Sequence, residues 1–220
     1  MDEELTPKVL LYAYASGVFP MAESADSDEL FWFNPEKRGV LPLNGLHISR
    51  SLRKVMKARR FRVTANQRFP EVMAACANRE ETWINAEITA LYTELHRIGH
   101  AHSIEVWHGG ALAGGLYGVS LGAAFFGESM FSRQSNASKV GLVGLVARLN
   151  LGGFQLLDMQ FLTPHLESMG GVEISRESYQ EQLDAALKKQ GDFGRLKATD
   201  THSLVSLASV ATSQDNTQTS

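Results

Sequence analysis

The spacing of apolar and polar residues predicts helices and strands that interleave along most of the chain. Apolar residues three or four positions apart, or capping residues at the ends, indicate helices over residues 6–17, 49–60, 69–77, 86–99, 136–150 and 175–189. Strand signals cover residues 61–64, 104–107, 111–117, 119–126 and 154–162, and a hairpin turn is expected at residues 108–110. The interleaving favours an α/β or α+β sheet domain.

The remaining segments divide the chain into three predicted parts. Residues 18–43 are rich in proline and aromatic residues and are expected to be irregular, so that residues 1–45 form a small N-terminal domain. The sheet domain then spans residues 46–195. Residues 196–220 are expected to be a disordered tail, with transient helix over 204–211, because they are rich in Ser and Thr and hold no Lys or Arg after Lys197.

Composition narrows the class of protein. The chain has 220 residues, of which 44% are hydrophobic and 20% charged, which is ordinary for a globular protein and excludes general disorder. A single cysteine, Cys76, excludes an intrachain disulfide and fits a reducing compartment. The acidic start predicts no signal peptide, and no apolar run of about 18 residues predicts a membrane span. We therefore expect a cytoplasmic protein.

The basic residues are concentrated in one short stretch, although the net charge is −3. Between His47 and Val63 the chain holds no acid and seven basic residues, which are Arg50, Arg53, Lys54, Lys57, Arg59, Arg60 and Arg62. A compact positive patch on an acidic protein is typical of a surface that binds a polyanion. A merely solvated helix face is the alternative, and the lack of any acid counts against it.

The strongest candidate for chemistry is the strand around Asp158 and Gln160. Side chains alternate faces along a strand, so these two residues share one face and Leu157 lies on the other. A carboxylate in so apolar a strand is costly unless it is paired or used. The alternative is that Asp158 lies at an exposed strand end and caps a loop.

A second candidate is the stretch from Phe125 to Ser132, where Glu128 and two serines stand among phenylalanines and a methionine. This mixture suits a ligand pocket with apolar walls and few polar groups. Ordinary core, with Glu128 pointing outward, is the alternative.

Other motifs favour structural interpretations. The glycines between 109 and 122 lack a nucleotide-binding pattern and indicate strand bends. His96, His100 and His102 suggest a metal site only weakly, because no further ligand is well placed. Cys76 is expected to be a small core residue.

Several phrases, taken together and in order, resemble those of the leucyl/phenylalanyl-tRNA–protein transferase family over roughly residues 5–190. The phrases are Gly17-Val18-Phe19-Pro20, Trp32-Phe33-Asn34-Pro35, His47-Ile48-Ser49-Arg50-Ser51, Thr82-Trp83-Ile84, residues 100–107, residues 114–118, residues 127–132 and Asp158-Met159-Gln160. The resemblance implies an α+β fold, with a small N-terminal domain followed by an acetyltransferase-like mixed sheet flanked by helices.

The resemblance also implies an activity. The family moves leucine or phenylalanine, with methionine as a further candidate, from aminoacyl-tRNA to the α-amine of a protein that begins with arginine or lysine. The product is a peptide bond and a degradation signal. No cofactor, metal or membrane is implied, and we expect a monomer.

Site residues follow from the resemblance position by position. Asp158 and Gln160 are implied as the catalytic pair, with Gln160 at the attacking amine or the ester and Asp158 polarising or orienting Gln160 through a hydrogen bond. Two roles for Asp158 stay open, as a proton acceptor or as a group that only orients Gln160. Trp83 is implied to stack on the terminal adenine, and Glu128 to anchor a polar or cationic part of a substrate. The implied aminoacyl pocket consists of Leu116, Phe125, Glu128, Met130, Leu145, Leu149 and Leu157. The implied tRNA contacts are Arg50, Arg53, Lys54 and Lys57.

Two departures from the pattern and two other functions stay open at this point. Met21 stands where many relatives have tryptophan, and the segment ahead of Leu5 is short. A coenzyme-A-dependent N-acetyltransferase on the same scaffold is the first alternative, but no pyrophosphate-binding turn precedes Asn136. A non-catalytic RNA-binding module would explain the basic stretch but not Asp158 and Gln160.

Overall fold

The computed structural model describes residues 5–24, 27, 29–79, 82–197 and 201–209. The helices of this part are α1 (Pro7–Ala15), α2 (Arg50–Lys57), α3 (Phe69–Ala77), α4 (Ala86–Arg97), α5 (Ala137–Gly152), α6 (Pro164–Glu167), α7 (Arg176–Leu187) and α8 (Thr201–Ser209). The strands are β1 (Phe19–Ala22), β2 (Leu30–Phe33), β3 (Lys37–Val40), β4 (Arg62–Ala65), β5 (Ala101–His108), β6 (Ala111–Leu121), β7 (Ala124–Ser132), β8 (Leu156–Gln160) and β9 (Val172–Ser175). Across the described ranges, every helix is too short or too polar to cross a membrane.

One mixed sheet organises the molecule. Its seven strands lie in the order β4-β5-β6-β7-β8-β3-β9, and all neighbours are antiparallel except β7 and β8. Helices α2, α5 and α8 pack on one face, and α1, α3, α4 and α7 on the other. The expected α+β class, a mixed sheet flanked by helices, is confirmed.

Helix α5 is buried on nearly all sides, because the sheet covers one face of it and α2 and α8 cover the other. A helix that is apolar all round is stable only in such a position. Gly144 allows the close approach, since a Cβ there would lie 2.9 Å from Cγ1 of Val63. The helix is thus a fixed wall for the sheet beneath it.

The N-terminal segment is more regular than its composition suggests. The stretch 18–43, expected to be irregular, holds the two-stranded sheet β1–β2 and strand β3. Strand β3 precedes residue 45, yet it lies inside the main sheet between β8 and β9. Short strands with proline at or near their ends give too weak an alternation to be recognised. Residues 37–40 therefore belong structurally with the sheet domain.

The tail also differs from the expectation in part. Helix α8 occupies residues 201–209, where Leu204 and Ala208 are buried against the core. The side-chain amide of Asn150 donates to the carbonyls of Leu207 and Ala208 at 3.4 and 3.3 Å. Residues 210–220 lie outside the described residues. The apolar stripe of α8 thus completes the cover of α5.

Substituting Leu204 with alanine is expected to lower the free energy of unfolding by about 2–4 kcal/mol, because it leaves a cavity beside α5. Urea unfolding followed by circular dichroism measures the difference. Ser206→Ala is the control on the exposed side of the same helix and should shift stability by less than about 0.5 kcal/mol. Equal values for the two variants would contradict docking of α8.

Candidate active site

The site lies where β7 and β8 separate. The two strands pair in parallel over only three residues each, Ala124–Phe126 against Leu156–Asp158. Beyond that point β7 continues to Ser132 alongside β6, while β8 pairs with β3 on its other side. A cavity of about 450 Å³ is lined by residues of both diverging strands, a size typical of small-molecule sites.

The cavity combines an apolar wall with a few polar groups. The apolar wall comes from β6, β7, α5 and α6 through Leu116, Met130, Leu142, Leu145 and Leu166. The polar lining includes Arg79, Glu128, Ser129, Ser138 and Gln160. Met21, Trp83 and Phe161 also line the cavity. Such a cavity can hold the apolar side chain of a ligand while the polar part of that ligand faces Glu128 and Gln160.

Asp158 forms a fully buried ion pair with Arg38. The Nε and Nη2 atoms of Arg38 donate to the two carboxylate oxygens at 2.9 and 2.6 Å, and both side chains are at most 1% exposed. The Tyr179 hydroxyl donates to Asp158 at 2.9 Å, and Nη1 of Arg38 donates to the Gly17 carbonyl at 3.0 Å. Burial opposes the charge of Arg38, but the hydrogen bonds and charge of Asp158 outweigh it and raise its pKa.

Gln160 has a constrained backbone that Asp158 supports. Its φ of 62° lies in the left-handed region, which is uncommon for a residue with a side chain. The Gln160 backbone N–H donates to Oδ1 of Asp158 at 2.8 Å. The side-chain Nε2 donates to Oε1 of Glu128 at 3.1 Å, across the gap between the strands. The carboxylate thus orients Gln160 through a hydrogen bond from the backbone N–H.

Glu128 is held by two tyrosines in addition to Gln160. The hydroxyls of Tyr14 and Tyr92 donate to its two oxygens at 2.7 and 3.1 Å. Burial raises the pKa of Glu128 from 4.5 to about 7, although the hydrogen bonds from Tyr14, Gln160 and Tyr92 act in the lowering direction. A carboxyl group that titrates near neutral pH can exchange a proton with a ligand in the cavity.

The structure brings together only some of the residues predicted for the aminoacyl pocket. Of these, Leu116, Glu128, Met130 and Leu145 line the cavity, and so do Gln160 and Trp83, the residue predicted for the adenosine. Asp158 does not line it, and neither do Phe125, Leu149 and Leu157, which are at most 1% exposed in the core on the α5 side. These three lie beside the paired part of β7 and β8, whereas the cavity opens only past Phe126 and Asp158.

The separation of the strands also allows side chains from both faces of β8 to line one cavity. Leu157 and Asp158 do lie on opposite faces, with Leu157 in the α5-side core. The cavity nevertheless takes side chains from both faces, such as Met159 and Gln160, because it lies at the end of the paired segment.

The basic stretch forms α2 on the same face of the sheet as α5. Leu52 and Met56 are buried, whereas the predicted tRNA contacts are exposed, namely Arg50, Arg53, Lys54 and Lys57. The backbone N–H of His47 donates to the carbonyl of Met169 at 2.8 Å. This bond joins the start of the helix to the turn after α6, whose Leu166 lines the cavity.

Four site residues were missed by reasoning from the sequence. Tyr14, Arg38, Tyr92 and Tyr179 hold the two carboxylates, yet they lie between 21 and 120 positions away from them in the chain. The only available signal was the cost of burying Asp158, which calls for a cation without saying which one. Only the fold selects Arg38.

The histidines suggested as weak metal ligands have structural bonds instead. Nδ1 of His96 bonds the Ala101 carbonyl at 2.8 Å, and Nδ1 of His100 bonds that of Ser120 at 3.1 Å. His102 bonds Asn66 and Ser120 through its two ring nitrogens. Burial lowers its pKa to about 3, so this ring stays neutral. Cys76 is buried, as expected.

Comparison with known families matches nearly the whole described fold. The family described as leucyl/phenylalanyl-tRNA protein transferase matches residues 40–184, and its N-terminal domain matches residues 3–36. The chain belongs to this family. The two matches adjoin near β3, which is the strand that connects the N-terminal segment to the main sheet.

Individual relatives agree with the family match. A leucyl/phenylalanyl-tRNA–protein transferase from Ruegeria sp. (strain TM1040) is 58% identical over 189 residues, covering 86% of this chain and 90% of the relative. One from Rhodospirillum rubrum is 58% identical over 193 residues, covering 86% and 91%. A solved C-terminal domain of a putative lysylphosphatidylglycerol synthetase from Agrobacterium fabrum covers 81% of this chain and 62% of its own, with TM-score 0.37 and 8% identity, too low to support a conclusion.

The raised pKa of Glu128 makes a prediction for stability. The folded state binds this proton more tightly than the unfolded chain, so the contribution of Glu128 to stability falls as pH rises from about 4.5 to about 7. Relative to Glu128→Gln, the wild type should therefore lose stability across that window and stay level above it. Urea unfolding of both proteins at several pH values measures the difference, in which the shared groups cancel. Parallel curves would contradict a buried, titrating Glu128.

Proposed function

We propose that this chain transfers leucine or phenylalanine from aminoacyl-tRNA to the α-amine of a protein that begins with arginine or lysine. The observation that carries the proposal is an apolar cavity that meets Glu128 and Gln160 at one polar end, in a chain of this family. The product is a peptide bond, and the new N-terminal residue marks the acceptor for degradation. The monomeric state and the cytoplasmic location stay predictions.

The apolar wall fits the donor side chain. Leu116, Met130, Leu142, Leu145 and Leu166 offer contact area without hydrogen-bonding groups, which suits leucine, phenylalanine and, as a further candidate, methionine. Discrimination in such a pocket is modest, at about 1–3 kcal/mol per methylene. Side chains branched at Cβ would meet the wall close to the backbone and bind less well.

The adenosine that carries the amino acid is proposed to stack on Trp83. This ring lies between α3 and α4, is half-buried and lines the cavity. Stacking of a base on an aromatic ring contributes about 1–3 kcal/mol. Met21 lines the same cavity and would give a softer apolar contact than the tryptophan that many relatives have.

Proton transfer is assigned to Glu128. The α-ammonium of the acceptor would give a proton to this carboxylate, and the neutral amine would then attack the ester carbon. The new C–N bond forms as the C–O bond to the ribose breaks, and the ribose oxygen takes up the second proton that the nitrogen gives up. Because Nε2 of Gln160 faces Glu128, its carbonyl oxygen is left to accept from the amine. Alignment of an already activated ester supplies much of the rate.

Asp158 is a positioning residue in this scheme. Its oxygens accept from Arg38, Tyr179 and the backbone of Gln160, and it is 0% exposed. A carboxylate so fully bonded is poorly placed to take a proton from a substrate. It fixes the left-handed backbone of Gln160 and thereby aims the amide.

The proposed path for the tRNA runs over α2. Exposed Arg50, Arg53, Lys54 and Lys57 would bind phosphates of the acceptor stem, which gives affinity without reading sequence. No acidic residue lies within this helix, so the cations are not neutralised locally. The alternative function, coenzyme-A-dependent acetyl transfer, is disfavoured by the family match.

One assay tests the proposed function. The protein is mixed with radiolabelled phenylalanyl-tRNA and a substrate protein that begins with arginine, and the label in protein is counted. A matched substrate that begins with serine is the negative control. Transfer of acetyl groups from acetyl-coenzyme A, or retention of tRNA without turnover, would overturn the proposal in favour of one of the alternatives.

Gln160→Ala is expected to lower kcat by about 100-fold or more with little change in melting temperature, since it removes a group at the reacting atoms.

Asp158→Asn should lower both kcat and stability, the latter by about 3–5 kcal/mol, because Arg38 is left buried without a counter-ion. Steady-state kinetics and thermal unfolding separate the two effects. An Asp158→Asn protein with wild-type stability would contradict the positioning role.

Replacing Arg53, Lys54 and Lys57 together with glutamine should raise the KM for tRNA at moderate salt and flatten its dependence on salt. Each lost phosphate contact should reduce the slope of log K against log salt by about 1. The control is the replacement of Lys8, Lys188 and Lys189 together with glutamine. Lys8 lies on α1 and the other two directly follow α7, so these exposed lysines are on the opposite face of the sheet from α2. An equal effect in both triple variants would place the tRNA elsewhere.

A further inference from the structure

Arg79 is a cation of the cavity wall that the mechanism above does not use. It follows α3, whose C-cap is Asn78, and its Nε donates to the Cys76 carbonyl at 2.9 Å. Its Nη2 atom donates to Oγ of Ser129 on β7, the residue after Glu128. The guanidinium thus bridges a helix end and the strand that carries the candidate proton acceptor.

The two bonds hold the guanidinium without using up its capacity. Arginine has five N–H donors, and among the residues that the structure describes the bonds to Cys76 and Ser129 use two of them. The side chain is exposed and lines the cavity. Among the lining residues that the structure describes, Arg79 is the single arginine or lysine. The cavity therefore offers one oriented cationic group to whatever enters it.

Capping of α3 by Arg79 explains only one of these two hydrogen bonds. An arginine at a helix C-terminus is stabilised by the last carbonyls, which explains the bond from Nε to Cys76. It does not explain the bond to Ser129, which turns the far end of the side chain along the cavity. Trp83, four residues later, lines the same cavity.

The chemistry of the ligand follows from this placement. A planar guanidinium matches the two oxygens of a phosphodiester better than an ammonium does. A nucleoside stacked on Trp83 carries such a phosphodiester on its own ribose, so the charge must lie within one nucleotide of the ring. The apolar lining cannot solvate that charge.

We infer that Arg79 binds the phosphodiester that joins the terminal adenosine of the tRNA to the preceding nucleotide. The inference rests on the proposed function, because it assumes that the donor is an aminoacyl ester of a terminal nucleotide. Arg79 is then a binding residue that sets the depth of the adenosine, and through it the position of the ester before Gln160 and Glu128.

Two small donors that differ by one group provide the test. They are the phenylalanyl ester of adenosine and the phenylalanyl ester of adenosine 5′-methyl phosphate, which adds a single phosphodiester charge. The wild type is expected to use the second donor with a kcat/KM about 10- to 100-fold higher, the worth of a charge-assisted hydrogen bond. Arg79→Gln should abolish that preference, so that the two donors are used with kcat/KM values within about twofold of each other.

Control variants separate binding from structure. Arg79→Lys keeps the charge without the planar fork and should retain part of the preference. Arg97→Gln removes an exposed charge that pairs with Glu94 on α4, away from the cavity lining, and should retain all of it. Melting temperatures of all variants show whether the bridge to Ser129 matters for folding.

The outcomes are distinct. An Arg79→Gln protein that keeps the preference overturns the inference, as does a wild type that shows none. An equal loss with both donors and a lowered melting temperature also overturns it, in favour of a structural cap on α3. Failure of the wild type to transfer phenylalanine from intact phenylalanyl-tRNA would instead reject the proposed function itself.

Discussion

The buried ion pair between Arg38 and Asp158 is the interaction on which the site depends. It joins β3 to β8 inside the main sheet and, through the Gly17 carbonyl and the Tyr179 hydroxyl, reaches both the N-terminal segment and α7. A buried carboxylate without its cation would be strongly destabilising, so these parts must be in place together. Together these contacts fix the backbone of Gln160, which directs its side-chain amide across the gap to Glu128.

The opening between β7 and β8 gives this arrangement its use. A continuous sheet would bury Glu128 and Gln160 against neighbouring strands and leave no room for a ligand. Because the strands part after three paired residues, the amide and the carboxylate meet across a cavity instead. The same opening exposes apolar residues that would otherwise be core. The apolar wall and the polar end of the cavity therefore arise from one irregularity in the sheet.

Helices and strands were predicted correctly where the local pattern of apolar and turn residues is strong. The range of α3 and the hairpin of β5 and β6 were recognised because the spacing of apolar residues and the turn residues give clear local signals there. Strands β1 to β3 were not recognised, and α8 was expected only as transient helix over residues 204–211, since four-residue strands and a serine-rich helix depend on contacts made elsewhere in the chain. Glu128, Asp158 and Gln160 stood out as polar residues in apolar strands, but Arg38 and the tyrosines that hold them are defined only by tertiary contact.

The distances along the chain between these partners have a consequence for synthesis. Arg38 meets Asp158 120 positions later, and the tyrosine that completes the network is a further 21 positions on. Contacts of such long sequence separation close late in folding. A chain still emerging from the ribosome therefore lacks the complete network around Asp158 until Tyr179 has left the exit tunnel.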